Sequence, residues 1–281
     1  MLIVVESGST KADWMISKNG KKTLLSTMGF NPNFHSKSDI VQALEESSEL
    51  VSIKNGVEDL YFYGAGCSTP ELNTVIKSSL STFFSKARIY VDSDLTASAF
   101  ACYKGKPEIA CILGTGSNSC YYDGKSLREE VPALGYVLGD EGSGTYFGKR
   151  MLADFLYKKL PKPMNEAFIE MGLNKQKVLK RVYQESGSNV FIASLMPVLI
   201  ANKDLPYSQE LIRKGFQEFI DTHVMCYPKY INCEVNFVGS VADLLQNELR
   251  LVCKLNDIKV GRIIRRPLEQ LVAFHLGEGE G

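Results

Sequence analysis

Short apolar runs at the start of the chain alternate with turn residues and predict three strands. The run LIVVE, residues 2–6, has the composition of a buried strand, and residues 9–17 place Ala12, Trp14 and Ile16 on one face of a second. The sequence SKNGKK predicts a hairpin turn, and residues 22–29 then form a third strand. The first part of the chain is therefore expected to be a three-stranded meander.

Helical and strand-like patterns alternate after this meander. Apolar residues at helical spacing predict a helix from Ser38 to Leu50, and DLYFYGAG, residues 59–66, reads as a strand that ends in small residues. A helix from Pro70 to Phe84, a strand in ARIYVDSD and a helix from Leu95 to Tyr103 follow. This alternation predicts an α/β domain.

The same order of elements begins again at Ile109, which indicates an internal duplication. Residues 109–127 match residues 2–22 in having an apolar strand, a glycine turn, an alternating strand and a hairpin, and VNFVGSVA, residues 235–242, matches LYFYGAGC, residues 60–67. Between about Ser143 and Asn232 the second copy carries a large insertion whose apolar spacing is helical. A last helix is predicted in RPLEQLVAFHL.

Composition and charge narrow the class of partner. The 281 residues suffice for two domains of ~100 to 150 residues, and 32 basic and 32 acidic residues give zero net charge, so no field attracts nucleic acid or a membrane. The seven cysteines form no CxxC pair, which predicts free thiols in a reducing cytosol. No signal peptide or apolar run of ~18 residues is visible, so we expect a soluble, cytoplasmic protein with a small-molecule partner.

Two glycine turns carry the chemistry. ESGST, residues 6–10, and GTGSN, residues 114–118, each follow the first strand of a repeat, and such turns direct backbone N–H groups at an anion with no Cβ in the way. Facing each other across a cleft, they would bind the phosphates of a nucleotide from both sides; ordinary hairpin turns are the alternative. The chain lacks a complete P-loop and a complete dinucleotide fingerprint.

The ordered motifs ESGSTKADW, VDSDLTASAF, LGTGSNS, LGYVLGDEGSG and FVGSVA resemble the N-acetylglucosamine kinase and BadF/BadG-type ATPase family of the sugar kinase, Hsp70 and actin superfamily. The resemblance runs from Glu6 to about Ala242, and GTGSN followed by GDEGS is its most specific part. It implies two duplicated ribonuclease H-like domains that bind ATP and Mg²⁺. We expect them at residues 1–105, completed by the helix in 267–281, and at 106–266.

The resemblance also implies roles for two carboxylates. Asp94 matches the family's catalytic base, which takes the proton from a sugar hydroxyl while the γ-phosphate is transferred. An N-cap for the helix at Leu95 is the alternative for Asp94, and Asp92 is a weaker rival for the base. Glu6 stands where many members have Asp, and it would hold Mg²⁺ directly or through water.

The remaining site residues follow from the same resemblance. Those implied to bind ATP are Ser9, Thr10, Lys11, Gly114, Thr115, Gly116, Gly239 and Ser240. Those implied to bind the sugar, with Asp94, are Asn33, Ser117, Asn118, Leu134, Gly135 and Asp140. Lys11 as a solvated side chain, Asn33 as a turn residue and Asp140 as a charge offsetting a helix dipole are the alternatives. The family's tryptophan beside Gly135 is absent.

Three functions are compatible with these motifs. The first is a kinase that phosphorylates the 6-hydroxyl of N-acetylglucosamine or a related amino sugar. The second is a BadF/BadG-type ATPase that drives a conformational change in a partner, although the cysteines lack the ligand spacing of such an activator's iron–sulfur cluster. The third is a non-catalytic nucleotide or sugar sensor. Family kinases are often homodimers, and the sequence leaves the oligomeric state open.

Overall fold

The computed structural model describes residues 1–8, 11–228 and 230–278. The chain divides into two compact units: unit 1 comprises Met1–Gly105 and Pro267–Gly281, and unit 2 comprises Lys106–Arg266. In the described part of the chain, no helix is both long enough and apolar enough to cross a bilayer.

Unit 1 is built on a mixed five-stranded sheet. Its strands are β1 (Leu2–Ser7), β2 (Lys11–Lys18), β3 (Lys21–Met28), β4 (Asp59–Gly64) and β5 (Arg88–Ser93). Their order is β3-β2-β1-β4-β5, with β1, β2 and β3 antiparallel and with β4 parallel to both β1 and β5. Asn19 and Gly20, both at positive φ, form the predicted hairpin turn between β2 and β3. The predicted meander is confirmed.

Three helices lie between strands β3, β4 and β5 of unit 1, and a fourth follows β5. They are α1 (Lys37–Glu45), α2 (Ser48–Ile53), α3 (Pro70–Phe83) and α4 (Asp94–Cys102), and a 3₁₀ turn (Lys54–Gly56) follows α2. The single helix predicted from Ser38 to Leu50 is wrong. Ser47 has an extended backbone, and its hydroxyl accepts a hydrogen bond from the Leu50 N–H at 3.4 Å, so it ends the first helix and caps a second.

Unit 2 repeats the sheet of unit 1. Its strands are β6 (Glu108–Leu113), β7 (Ser117–Tyr122), β8 (Leu127–Arg128), β9 (Glu234–Val238) and β10 (Val260–Ile264). Their order is β8-β7-β6-β9-β10, with antiparallel pairs first and parallel pairs after, as in unit 1. The predicted fold class, two duplicated α/β sheets of the actin-like ATPase type, is confirmed.

The helices of unit 2 fill the predicted insertion and follow its last strands. They are α5 (Gly135–Leu138), α6 (Gly144–Leu156), α7 (Lys162–Glu170), α8 (Lys175–Tyr183), α9 (Ser188–Ala193), α10 (Met196–Ala201), α11 (Pro206–His223), α12 (Ser240–Leu244) and α13 (Gln246–Leu255), with a 3₁₀ turn (Tyr230–Asn232). Helices α6 to α11 bury apolar residues against the Ile109, Leu113 and Phe237 face of the sheet. Burial of this area is the main favourable contribution to the stability of unit 2.

The last helix, α14 (Leu268–Leu276), belongs to unit 1, where it packs on β1, β2 and α4. Its residue His275 stacks on Tyr61 at a ring-centroid distance of 3.6 Å, and the Tyr63 hydroxyl lies 2.7 Å from His275 Nε2. The opposite face of the sheet buries Val5 and Trp14. Both faces of the unit 1 sheet are therefore covered.

The cysteines are free thiols, as predicted, and six of the seven are buried. Cys111 and Cys120, for example, are fully buried in neighbouring strands, where a thiol packs as a small apolar group.

We expect His275 to make unit 1 sensitive to acid. Burial lowers the pKa of His275 to about 4, whereas an exposed histidine titrates near ~6.5. Between these two values the unfolded chain binds the proton more readily, so the free energy of unfolding should fall as the pH falls through this window. His275→Gln, which keeps a polar partner for Tyr63 but does not titrate, should reduce that fall.

Melting temperatures at pH 4.5 and 7.5 measure this effect. The wild-type protein should lose more stability between the two pH values than His275→Gln does. An equal loss in both proteins would contradict the assignment.

Candidate active site

The parallel strands of unit 1 end at a common edge. Ser7, Gly64 and Ser93 are register partners at the last positions of β1, β4 and β5. The residues that follow these strands, Asp94 among them, therefore lie at one edge of the sheet. Ser9 and Thr10, which the resemblance assigns to ATP, lie outside the described residues.

Asp94 is the first residue of α4 and is partly buried. The helix is capped by Ser93, whose hydroxyl accepts a hydrogen bond from the Thr96 N–H at 3.2 Å. Asp92 Oδ1 accepts from the Ser93 N–H at 2.7 Å and from the Thr96 hydroxyl at 2.9 Å. Ser93 and Asp92 thus organise the helix start, and the N-cap alternative for Asp94 is wrong.

Glu6 lies opposite Asp13 in the antiparallel ladder of β1 and β2, so the two carboxylates share a face of the sheet. Asp13 accepts from the Ser26 hydroxyl at 2.6 Å and pairs with the exposed Lys11, whose Nζ lies 2.7 Å away. Carboxylate oxygens are the ligands that Mg²⁺ prefers, so this donor set fits the expected ion. Within the described ranges, no group of three or more His, Cys, Asp or Glu residues could hold a metal.

Asn33 lies in a loop that packs on the same edge of unit 1. Its backbone N–H and its side-chain Nδ2 donate to Asn31 Oδ1 at 3.0 and 3.1 Å. A Cβ added to Gly66, which follows β4 and has φ +88°, would lie 2.7 Å from Asn33 Nδ2. At the start of this loop the Phe30 N–H donates to the Ser7 hydroxyl at 2.8 Å. The exposed Asn33 therefore belongs to the edge that carries Asp94.

The glycine turn of unit 2 is held by its own backbone and by α6. Within the turn, the Gly114 N–H donates to the Gly116 carbonyl at 3.0 Å. From α6, the Gly144 and Thr145 N–H groups donate to the carbonyls of Gly114 and Thr115 at 2.9 and 3.0 Å. The turn is thus attached to the N-terminal end of a 13-residue helix, an electrostatic environment that favours anions.

Asp140 ties this turn to α6 through its side chain. Its Oδ1 accepts from the Ser117 N–H at 3.3 Å, and its Oδ2 accepts from the Thr145 hydroxyl at 2.9 Å. The carboxylate lies so close to Gly116 that a Cβ there would be 3.0 Å from both oxygens. Burial raises the pKa of Asp140 above its ordinary value. Ser117 Oγ is buried and has no hydrogen-bond partner among the described residues.

The segment with Leu134 and Gly135 precedes Asp140 and forms the short helix α5. Leu134 is 57% exposed, and Gly135 adopts φ +69°. Lys149 of α6 donates to the carbonyls of Tyr136 and Gly139, so it fixes both this helix and the residue that follows it. Burial lowers the pKa of Lys149.

Gly239 lies beside the glycine turn at the end of β9. It has φ +127°, and a Cβ there would be 2.3 Å from the Leu113 carbonyl oxygen, so only glycine fits. Ser240 begins α12 directly after it. The turn implied to bind adenosine and the turn implied to bind phosphate are thus adjacent in unit 2.

Asn118 is partly buried on β7, and its Nδ2 donates to Glu129 Oε2 at 3.1 Å. Glu129, Thr145 and Lys149 are side chains of this site that the motifs do not indicate. Thr145 and Lys149 are four residues apart on one face of α6, which begins at Gly144 after the GDEGS motif, and this helical spacing is the signal that could have found them.

The chain is similar to several solved structures. A protein proposed to be an N-acetylglucosamine kinase, from Porphyromonas gingivalis, is 33% identical, with 99% of each chain covered and a TM-score of 0.92. A second protein proposed to have that activity, from Chromobacterium violaceum, is 17% identical, with 97% of this chain and 98% of the other covered and a TM-score of 0.72.

The similarity to a more distant solved structure is limited to the fold. That structure is a ROK family glucokinase from Streptomyces griseus, in complex with glucose and AMPPNP, which is 14% identical over 99% of this chain and 97% of its own, with a TM-score of 0.54. No protein-family model matches the chain. No curated protein sequence matches it either.

Two glycine substitutions test how the turn of unit 2 is held. In Gly116→Ala the new Cβ should displace the Asp140 carboxylate and weaken its bonds to Ser117 and Thr145, at a cost of about 1–3 kcal/mol in stability. Gly114→Ala is the matched control, because a Cβ there meets no atom within 4 Å.

Thermal unfolding monitors both variants. Gly116→Ala should melt several degrees below the wild-type protein, and Gly114→Ala close to it. If both variants melt with the wild type, Asp140 does not brace the turn.

Proposed function

Because the chain belongs to the N-acetylglucosamine kinase and BadF/BadG-type ATPase family of the sugar kinase, Hsp70 and actin superfamily, we propose that it is an ATP-dependent sugar kinase. The proposed reaction moves the γ-phosphate of ATP to the 6-hydroxyl of N-acetylglucosamine or a related amino sugar. The name of the Porphyromonas gingivalis relative supports this choice of sugar.

The placement of Asp94 is the observation that carries the proposal. The residue begins α4 at the edge of unit 1 that also carries Glu6 and Asn33, and Ser93 supplies the N-cap. A carboxylate at such an edge can accept the proton of a hydroxyl held within hydrogen-bond distance. We assign Asp94 as the catalytic base.

In the proposed step the oxygen of the sugar 6-hydroxyl attacks the γ-phosphorus, and Asp94 accepts the proton of that hydroxyl. The new O–P bond forms while the bond from the γ-phosphorus to the bridging oxygen breaks, and ADP leaves with that electron pair. We also assign Asn33, Ser117, Asn118 and Asp140 to the binding of sugar hydroxyls. Ser117 Oγ, which is buried without a hydrogen-bond partner among the described residues, supports the assignment of Ser117.

Backbone groups carry most of the proposed nucleotide contacts. The N–H groups of the turn at Thr115 and Gly116 would bind phosphate oxygens, and Gly239 would allow the nucleotide close to the backbone. Ser9, Thr10, Lys11, Gly114 and Ser240 complete the assignment. Leu134 and Gly135 would line the sugar.

Glu6 would hold the Mg²⁺ that accompanies ATP, with Asp13 as its neighbouring carboxylate. When bound, the ion would neutralise charge on the β- and γ-phosphates. Lys11 pairs with Asp13, and its positive charge offsets part of the negative charge of Glu6 and Asp13.

A panel of sugars tests the proposed activity. Purified protein with ATP and Mg²⁺ should release ADP in the presence of N-acetylglucosamine or a close amino sugar, and the sugar should gain a phosphate at its 6-position. Mass spectrometry and a coupled ADP assay detect the two products. Release of ADP at the same rate without any sugar would favour an ATPase instead, and no release with any sugar would reject the kinase.

Asp94→Asn tests the catalytic base. Loss of a general base should lower kcat by about 10² or more while nucleotide binding, measured by calorimetry, changes little. Asp92→Asn is the matched control, because an asparagine oxygen can still accept from Ser93 and Thr96. Wild-type turnover in Asp94→Asn would remove Asp94 from the mechanism.

A further inference from the structure

Asp140 and Glu141 are adjacent acids in the loop between α5 and α6, but their surroundings differ. Asp140 is 9% exposed, and each of its oxygens accepts a hydrogen bond from within unit 2. The Glu141 side chain is 22% exposed, and its Oε2 lies 3.3 Å from His223 Nε2. Of the two carboxylates, that of Glu141 is the more accessible to a bound molecule.

The Glu141 carboxylate lies against the segment that the proposed function assigns to the sugar. A Cβ added to Gly139 would be 3.2 Å from Leu134 Cβ and 3.5 Å from Glu141 Oε2. The Glu141 carboxylate and Leu134, which precedes α5, therefore both lie beside Gly139. A carboxylate in that position can accept hydrogen bonds from hydroxyl groups of a ligand.

His223 is the last residue of α11 and is 2% exposed. Its ring stacks on Phe219 at a centroid distance of 5.2 Å, and its carbonyl accepts from the Ser119 hydroxyl at 2.6 Å. Its Nδ1 is buried and has no hydrogen-bond partner among the described residues. A proton on Nδ1 would be unsatisfied there, so the neutral ring with its proton on Nε2 fits the site.

The loop backbone is also fitted closely to α11. Gly142 has φ +67°, and a Cβ there would be 3.1 Å from both the Gly215 carbonyl oxygen and Phe219 Cβ. The residue next to Glu141 therefore rests on the same helix that carries His223. Helix α11 therefore contacts two successive residues of the loop: the side chain of Glu141, through His223, and the backbone of Gly142.

We propose that Glu141 is a second substrate-contacting carboxylate of the sugar site, and that His223 is its positioning residue, donating from Nε2. This inference rests on the proposed function, and it names sugar hydroxyls as the groups that Glu141 binds. It also gives the helical insertion of unit 2 a role, because α11 orients a side chain of the site.

Steady-state kinetics of four variants tests the inference. Glu141→Gln should raise KM for the sugar about tenfold, as expected for one weakened charged hydrogen bond, and leave KM for ATP unchanged. His223→Leu removes the donor and should produce much of the same effect. His223→Gln restores a side-chain N–H and should recover most of the wild-type KM. Glu166→Gln, an exposed acid on α7, is the control.

Coupling between the two residues separates positioning from general damage. The double variant Glu141→Gln with His223→Leu should have a sugar KM close to that of Glu141→Gln alone, because the histidine acts through the glutamate. Additive effects would overturn the positioning role. A lower melting temperature in His223→Leu with an unchanged sugar KM would assign His223 to packing and also overturn it.

Nitrogen NMR of labelled histidine gives a second readout. At pH 7 the His223 ring should be neutral with its proton on Nε2, and that signal should shift in Glu141→Gln; a proton on Nδ1 would overturn the proposal. The kinetic results distinguish failure of the proposed kinase activity from failure of the role proposed for Glu141. If the wild-type protein phosphorylates the sugar and Glu141→Gln keeps its KM, only this inference fails; if the wild type has no sugar-dependent turnover, the proposed function fails and this inference fails with it.

Discussion

Parallel pairing of β1 with β4, of β4 with β5 and of β6 with β9 is the constraint that brings the strand-end residues of the candidate site together. Parallel strands end at a common edge, so strand pairing alone brings together residues that are far apart in sequence. In unit 1 this places Asp94 at the same edge as the end of β1. In unit 2 it places Gly239 beside Gly114.

Unit 2 shows how a turn without side chains is kept in one conformation. Its glycines remove the Cβ atoms that would obstruct an anion, but they also favour backbone freedom. Two N–H groups of α6 and the Asp140 carboxylate counter this freedom by fixing the turn to a helix. Burial of the carboxylate is unfavourable, and the hydrogen bonds from Ser117 and Thr145 offset that cost. The turn is therefore preorganised by the protein itself.

Local patterns in the sequence predicted most of the fold. Alternation identified β1, β2 and β3, glycine turns marked the duplication, and apolar spacing identified the helical insertion. The break between α1 and α2 was missed because Ser47 changes one backbone angle without interrupting the apolar pattern. No pattern was assigned to β10, in which Gly261 and Arg262 dilute a short apolar run.

Candidate site residues could be proposed from the sequence where they form compact motifs, but not where a contact joins distant parts of the chain. The roles proposed for Asp94, Asp140 and the two glycine turns are implied by the resemblance of short, contiguous motifs to those of the family. His223 is separated from Glu141 by 82 positions, and no periodicity links them. Ser93 caps α4 and leaves Asp94 in the first turn of the helix. This arrangement also depends on side-chain geometry, which cannot be read from the sequence.

The return of α14 to unit 1 makes that unit discontinuous, with all of unit 2 inserted between its two parts. During synthesis on the ribosome, β1, β2 and α4 emerge long before the helix that packs on them. Until α14 is made, the sheet face that it covers is exposed and Tyr63 lacks its hydrogen bond with His275. The completion of unit 1 therefore requires the synthesis of all of unit 2, and a chain that stops before α14 lacks part of the core of unit 1.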